Sequence, residues 1–165
     1  MNNQQQYYQP QSQFQFQPQQ QPPLPMKWFK FLIYFSLFFS CLVNVVMGIN
    51  YLTGNFYISQ GVTANLVYAI FPSMKGFDLF NGIACFALGV FAIITRFALA
   101  KYKKSGPMFL YSLYVANAVV TLIYGIGATF ALGEVAFNPI SIGGTVLMIV
   151  LNVVYFNKRK HLFVN

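Results

Sequence analysis

Acidic side chains are nearly missing from this sequence: its 165 residues include two, Asp78 and Glu134, against ten Lys and Arg, and charged residues of all kinds make up 7%. A soluble domain carries roughly a quarter charged residues. With 57% of residues hydrophobic and 19% aromatic, a water-soluble globule would lack the ionisable side chains to cover the large surface that a small domain exposes. The missing solvent is lipid. The single histidine, His161, stands in a basic C-terminal run, which leaves none for a buried relay or a zinc site. The two cysteines, Cys41 and Cys85, lie inside apolar runs with no C-x-x-C spacing, so they read as small buried thiols rather than redox or metal chemistry. Glycine-rich phosphate loops and nucleophile elbows are absent too, since Gly125-Ile126-Gly127 falls in mid-run, where it serves close packing. No cofactor is expected. Asp78 and Glu134 are the one acid and base pair on offer, but nothing sets a nucleophile beside them, and Asp78 equally suits a helix N-terminus, where negative charge is favoured.

The basic residues that are present give a net charge of +8. They sit beside the ends of apolar runs instead of gathering on a folded face with aromatics for stacking. That placement excludes nucleic acid as a partner and fits helices oriented by lysine and arginine, with some attraction to anionic lipid headgroups.

Three regions follow along the chain. Residues 1–26 form a low-complexity tail: the first 25 carry no charge, eleven glutamines and five prolines. Such a tail cannot bury a core and is expected to be disordered yet adhesive, with Gln13-Phe14-Gln15-Phe16-Gln17 leaning towards β-type association and Pro22, Pro23 and Pro25 interrupting it. Residues 27–157 contain four apolar runs, at about 31–52, 79–99, 108–132 and 140–156, each able to cross a hydrocarbon core of about 30 Å, the last only with little tilt. Residues 158–165 form a short basic tail. The expected fold is all-α, a bundle of four transmembrane helices.

Lys27, Trp28 and Lys30 read as an interfacial anchor before the first run, which is too long for a cleavable signal peptide. Gly106 and Pro107 break the chain between the second and third runs. Asn138 is placed to cap the fourth helix, with Pro139 in its first turn.

If the four runs alternate in direction, Lys27, Lys30, Arg96, Lys101, Lys103, Lys104, Lys158, Arg159 and Lys160 fall on one side and Lys75 alone on the other. Basic flanks resist translocation, so both termini are expected in the cytoplasm and both acids outside, in a multi-pass protein of the cell membrane. Arg96, inside a run but about one turn from its end, is accounted for by snorkelling. The segment 53–77 is then external. Within it Thr63 can cap a short helix presenting Leu66, Val67, Ile70 and Phe71 to the membrane surface or to the helix ends, with Pro72 stopping it. A ligand-binding lid is the alternative.

Polar and small residues inside the runs recur every fourth position: Ser36, Ser40, Asn44 and Gly48 in the first, then Asn117, Thr121, Gly125 and Thr129 in the third. The fourth has a looser set in Ser141, Gly144, Thr145 and Asn152. In lipid, helices associate through close contact at small residues and through interhelical hydrogen bonds worth about 0.6 kcal/mol each. These stripes are therefore expected to serve helix packing and face the bundle interior. A polar path lined by Asn44, Asn117 and Thr121 is the alternative, weakened because no run carries a deeply placed carboxylate, lysine or histidine.

Three stretches carry a resemblance: Ala64-Asn65-Leu66-Val67-Tyr68 with Phe71-Pro72-Ser73; Thr95-Arg96-Phe97 through Tyr102-Lys103-Lys104-Ser105-Gly106-Pro107; and Asn152-Val153-Val154-Tyr155-Phe156-Asn157-Lys158-Arg159. From Lys27 onward the chain resembles a group of small, uncharacterised four-helix integral membrane proteins of Gram-positive gut bacteria, whose members carry variable N-terminal extensions, sometimes a zinc ribbon. The tail here has no zinc ligands. The resemblance implies a bacterial inner-membrane location and brings no catalytic or binding residue with it. Taken together, the residues lead to the expectation of a non-enzymatic anchoring, interaction or oligomerising module whose partners are the bilayer and a second copy or another membrane protein. A small-solute channel or transporter using the polar faces is the rival.

Overall fold

The computed structural model describes residues 26–133 and 139–164, with the side chains of Pro139 and Ser141 left aside. The Gln/Pro-rich tail, Glu134 and the Asn138 cap lie outside the described residues. Those described are helical, with no strand among them. Three helices are long and apolar enough to cross a membrane: α1 (Lys27–Thr53), α4 (Pro72–Ala100) and α5 (Gly106–Leu132), whose most apolar 18-residue stretches have mean hydropathies of 2.2, 2.2 and 1.8. Between α1 and α4 lie two short helices, α2 (Asn55–Ile58) and α3 (Ala64–Ile70). A shorter apolar helix, α6 (Pro139–Asn157), follows α5, and a 3-10 turn at Lys160–Leu162 closes the described chain.

Each long helix overruns its apolar core. α4 begins seven residues before Leu79 because Pro72 occupies the first turn, where its fixed φ suits the helix and its missing N–H is not needed. Asp78 thereby lies two turns inside a helix. α1 reaches back to Lys27 through a π-helical stretch, Leu32–Ser36, a wide turn in which hydrogen bonds span five residues.

α1 and α4 form the tightest pair. At their crossing a Cβ on Gly48 would come within 3.1 Å of the Gly82 carbonyl, and a Cβ on Gly82 within 2.7 Å of Leu52. Only glycine allows that approach, the usual basis of helix association in lipid. α5 packs on the other side of α4, and α6 on α5. Gly54 ends α1 with φ of +73°, and a Cβ there would collide with Ala64 at the start of α3. The chain thus doubles back at once and lays α2 and α3 over the end of the bundle.

Two clusters fill the interior. One gathers Phe29, Leu32, Leu99, Leu110, Phe156 and Phe163 where α1 and α5 begin and α4 and α6 end; the other joins Tyr57 of α2, Met74 of α4 and Ala128 of α5 at the opposite end. Around the rest, large apolar side chains point outward, among them the stacked Phe31, Phe35 and Phe39 rings at spacings of 5.3 and 5.7 Å. Acyl chains, not water, are the medium that tolerates such a surface.

Candidate functional site: a buried carboxylate held by three tyrosines

Asp78 is 1% exposed. A lone buried carboxylate is costly unless its oxygens are hydrogen-bonded, and here three phenols do that. Tyr57 of α2 and Tyr68 of α3 donate to Oδ2 at 2.7 and 2.9 Å, and Tyr124 of α5 donates to Oδ1 at 2.9 Å. One side chain of α4 therefore ties together three other elements. Tyr51 closes the group, its ring 5.2 Å from that of Tyr124 and 4.7 Å from Phe56, and the buried Asn81 lies one turn below Asp78 on α4. The Tyr57 and Tyr68 rings meet edge to face at 5.9 Å.

Burial, and then the Asp78 carboxylate, push the Tyr68 phenol up to about 12 and the Tyr57 phenol higher still. Both phenols keep their protons at physiological pH and remain donors. A small cavity of about 110 Å³ touches the site between Asp78, Tyr51, Tyr68 and the exposed Lys75. Among the described residues no three His, Cys, Asp or Glu side chains come together as a metal site would need. Glu134, the other half of the acid and base pair, lies outside the described residues.

The polar stripes divide along their length. Gly48 and Gly125 are buried in the bundle. Ser36, Ser40, Asn44 and Asn117 instead line a groove of about 470 Å³ on its flank, walled by Phe31, Phe35 and Phe39. Thr121 is exposed. The Asn44 amide donates back to the Ser40 carbonyl at 2.8 Å and to the Ser40 hydroxyl at 3.4 Å, and Asn117 donates to the Leu113 carbonyl at 2.9 Å, bonds within each helix that leave both side chains on the groove wall. Asn152 of α6 is fully buried, accepting from the Trp28 indole at 3.2 Å and donating to the Met148 carbonyl at 2.8 Å. The Tyr155 hydroxyl accepts from the Phe29 amide at 3.2 Å.

At this basic end Arg96 does more than snorkel. Its Nε donates to the Ile33 carbonyl at 3.0 Å, inside the π-helical stretch, so the wide turn of α1 and the cation of α4 meet. Arg159 lies with its guanidinium 3.8 Å from the Tyr155 ring centre and donates to the Tyr155 carbonyl at 3.1 Å. Lys27, Lys30, Lys101, Lys103, Lys104, Lys158 and Lys160 are exposed. Both cysteines are free thiols, Cys85 buried and Cys41 partly so.

Comparison with protein-family models, with curated proteins and with solved structures finds no match.

Proposed function

We propose that the chain is a non-enzymatic membrane module of four spans, residing in the cell membrane with both termini and the basic end in the cytoplasm, which associates with a second copy or another membrane protein through the flank groove between α1 and α5. The observation that carries this reading is the position of Asn44 and Asn117, with Ser36 and Ser40, in a groove otherwise walled by phenylalanine and valine. Amide groups facing hydrocarbon are stabilised when a neighbouring helix covers and bonds them. α6, with 19 residues, is the fourth span, and nine of the ten basic side chains then share one side, as the positive-inside rule requires. The Gln-rich tail supplies a cytoplasmic arm for recruitment.

Disulfide crosslinking tests the association: single cysteines at Phe35 or Val43, in a Cys41→Ser and Cys85→Ser background, are expected to form dimers in membranes, and Asn44→Leu with Asn117→Leu to abolish them. Crosslinking equal to that of cysteines at Ile83 or Val90, exposed on α4, would refute the groove as an interface. Labelling of cysteines at Lys75 and Lys103 by an impermeant reagent tests the sidedness, with Lys75 reached from outside and Lys103 only after permeabilisation. Deleting residues 1–25 is expected to alter the protein's distribution in the cell.

A second reading, a small-solute channel or transporter, draws support from Asp78, because ionisable groups within spans often mark solute pathways. Reconstituted protein would then show flux that falls in Asn44→Leu, Asn117→Leu or Asp78→Asn. Well-inserted protein without flux removes that reading.

A further inference from the structure

At the basic end a cavity of about 430 Å³ opens between the start of α5 and the end of α6. That size lies within the range of about 300–1,000 Å³ typical of small-molecule sites. Lys104 and Lys160 stand on its rim, Tyr111 and Asn157 add polar atoms, and Met108, Phe156 and Phe163 form an apolar floor. Among the described residues no acidic side chain lines it. The chain's two acidic side chains offer no neutralisation, because Asp78 lies near the far end of α4 and Glu134 follows the far end of α5 in sequence. Two exposed ammonium groups therefore share a concave site with no acidic side chain beside them among the described residues.

Depth decides what brings it. Pro107 and Met108 occupy the first turn of α5, and Phe156 and Asn157 the last of α6, so the cavity spans the boundary between helix ends and loop. In the four-span arrangement proposed above, on which this inference rests, its cations sit at headgroup level and its lining runs into the apolar zone, where Met108 is 67% exposed. The positive end of the α5 dipole adds to the field at the same wall. We infer that this cavity binds an anionic phospholipid, its phosphate between Lys104 and Lys160 and the start of its acyl chains along Met108 and Phe156. Basic pockets between membrane helices at the interface are suited to such headgroups, and the mixed lining matches an amphiphile better than a soluble anion. The site lies apart from the α1 and α5 groove and does not depend on self-association.

Native mass spectrometry of the full chain in detergent, titrated with phosphatidylglycerol and with phosphatidylcholine of the same acyl chains, tests this. Wild-type protein is expected to retain phosphatidylglycerol in preference. Lys104→Ala with Lys160→Ala is expected to weaken that retention about 30-fold, at about fivefold for each lysine near an anionic headgroup. Lys27→Ala with Lys30→Ala, which removes equal charge from the same end, should leave it within about twofold, the scale of the spread in such single contributions. Both pairs are exposed, and matched thermal unfolding of the two variants checks that neither acts through folding. Three results overturn the site: equal retention of the two lipids, equal loss in the two double variants, or displacement of the lipid by glycerol phosphate at similar concentration, which would make the ligand a soluble phosphate.

Discussion

The two ends of the bundle hold opposite charges by opposite means. At the basic end the cations are spread over four helix termini; Arg96 and Arg159 each donate to a backbone carbonyl and the lysines reach outward, around a plug of phenylalanine rings. At the other end a single carboxylate is drawn inside and surrounded by phenols from three elements. Cations on long flexible stems can reach the interface from within a span, whereas an aspartate on one methylene cannot. It must be satisfied where it stands. The basic end is accordingly a surface of outward-reaching cations, and the acidic end a clasp that fixes α2 and α3.

The largest test of this contrast removes the clasp. Asp78→Leu leaves the Tyr57, Tyr68 and Tyr124 hydroxyls without their acceptor, and hydrogen bonds to a charged group contribute about 1.5–3 kcal/mol each before relaxation. Because the partly exposed Tyr68 can turn towards solvent, the expected loss is about 3 kcal/mol in all, read as thermal unfolding in detergent. Limited proteolysis should then cut between residues 54 and 71 far faster than in the parent. Asp78→Asn, which keeps one acceptor oxygen, should lose about half as much by the same accounting. Unchanged proteolysis in Asp78→Leu would show that aromatic packing alone holds the cap.

Gly82→Val comes next. A side chain there meets Leu52 at 2.7 Å, and overpacking a close contact costs about 1–3 kcal/mol. The prediction is a loss of about 2 kcal/mol with the clasp intact, because the α1 and α4 crossing is forced apart without touching a hydrogen bond. At the basic end Arg96→Met is expected to lose about 1 kcal/mol, one side chain to carbonyl bond, and Arg96→Lys to recover part of it. If Arg96→Met equalled Asp78→Leu in cost, the two ends would not differ in the way described.

Helix positions were largely legible in the sequence because the apolar runs at 31–52, 79–99, 108–132 and 140–156 mark them directly. Their outer turns were not, since Lys27–Lys30 and Pro72–Phe77 are amphipathic stretches whose helicity is decided by a continuing helix and an N-terminal proline rather than by hydropathy. The clasp left little trace. Tyr57, Tyr68 and Tyr124 are separated from Asp78 by 21, 10 and 46 positions, so no periodicity links them. The one available signal was the coincidence of an acid at the head of a run with tyrosines crowded into residues 51–68. The π-helical stretch had no signature at all: it becomes intelligible only once Arg96 is seen to bond Ile33 across the α1 and α4 interface.

The smallest predicted effect is a pH dependence confined to the clasp. Tyr68 lies outside the spans, and its phenol is pushed from an ordinary value of 10.0 up to about 12 by burial and by Asp78. In the unfolded chain it loses its proton near its ordinary value, whereas in the folded chain it holds it longer. The unfolded state therefore binds fewer protons across that window, and linkage requires stability to fall as pH rises through it. Whatever Tyr68 contributes is fully present below pH 10 and lost as the folded phenol ionises near pH 12. Titration of the full chain in detergent, following tyrosinate absorbance and proteolysis of the 54–71 segment together, should show the segment loosening over this range. Tyr68→Phe is expected to remove its share of that late absorbance change and to loosen the segment already at neutral pH. The basic end provides the internal control: Lys160 is exposed and lies at the opposite end of the bundle from Tyr68, so cleavage near it should not follow the same curve.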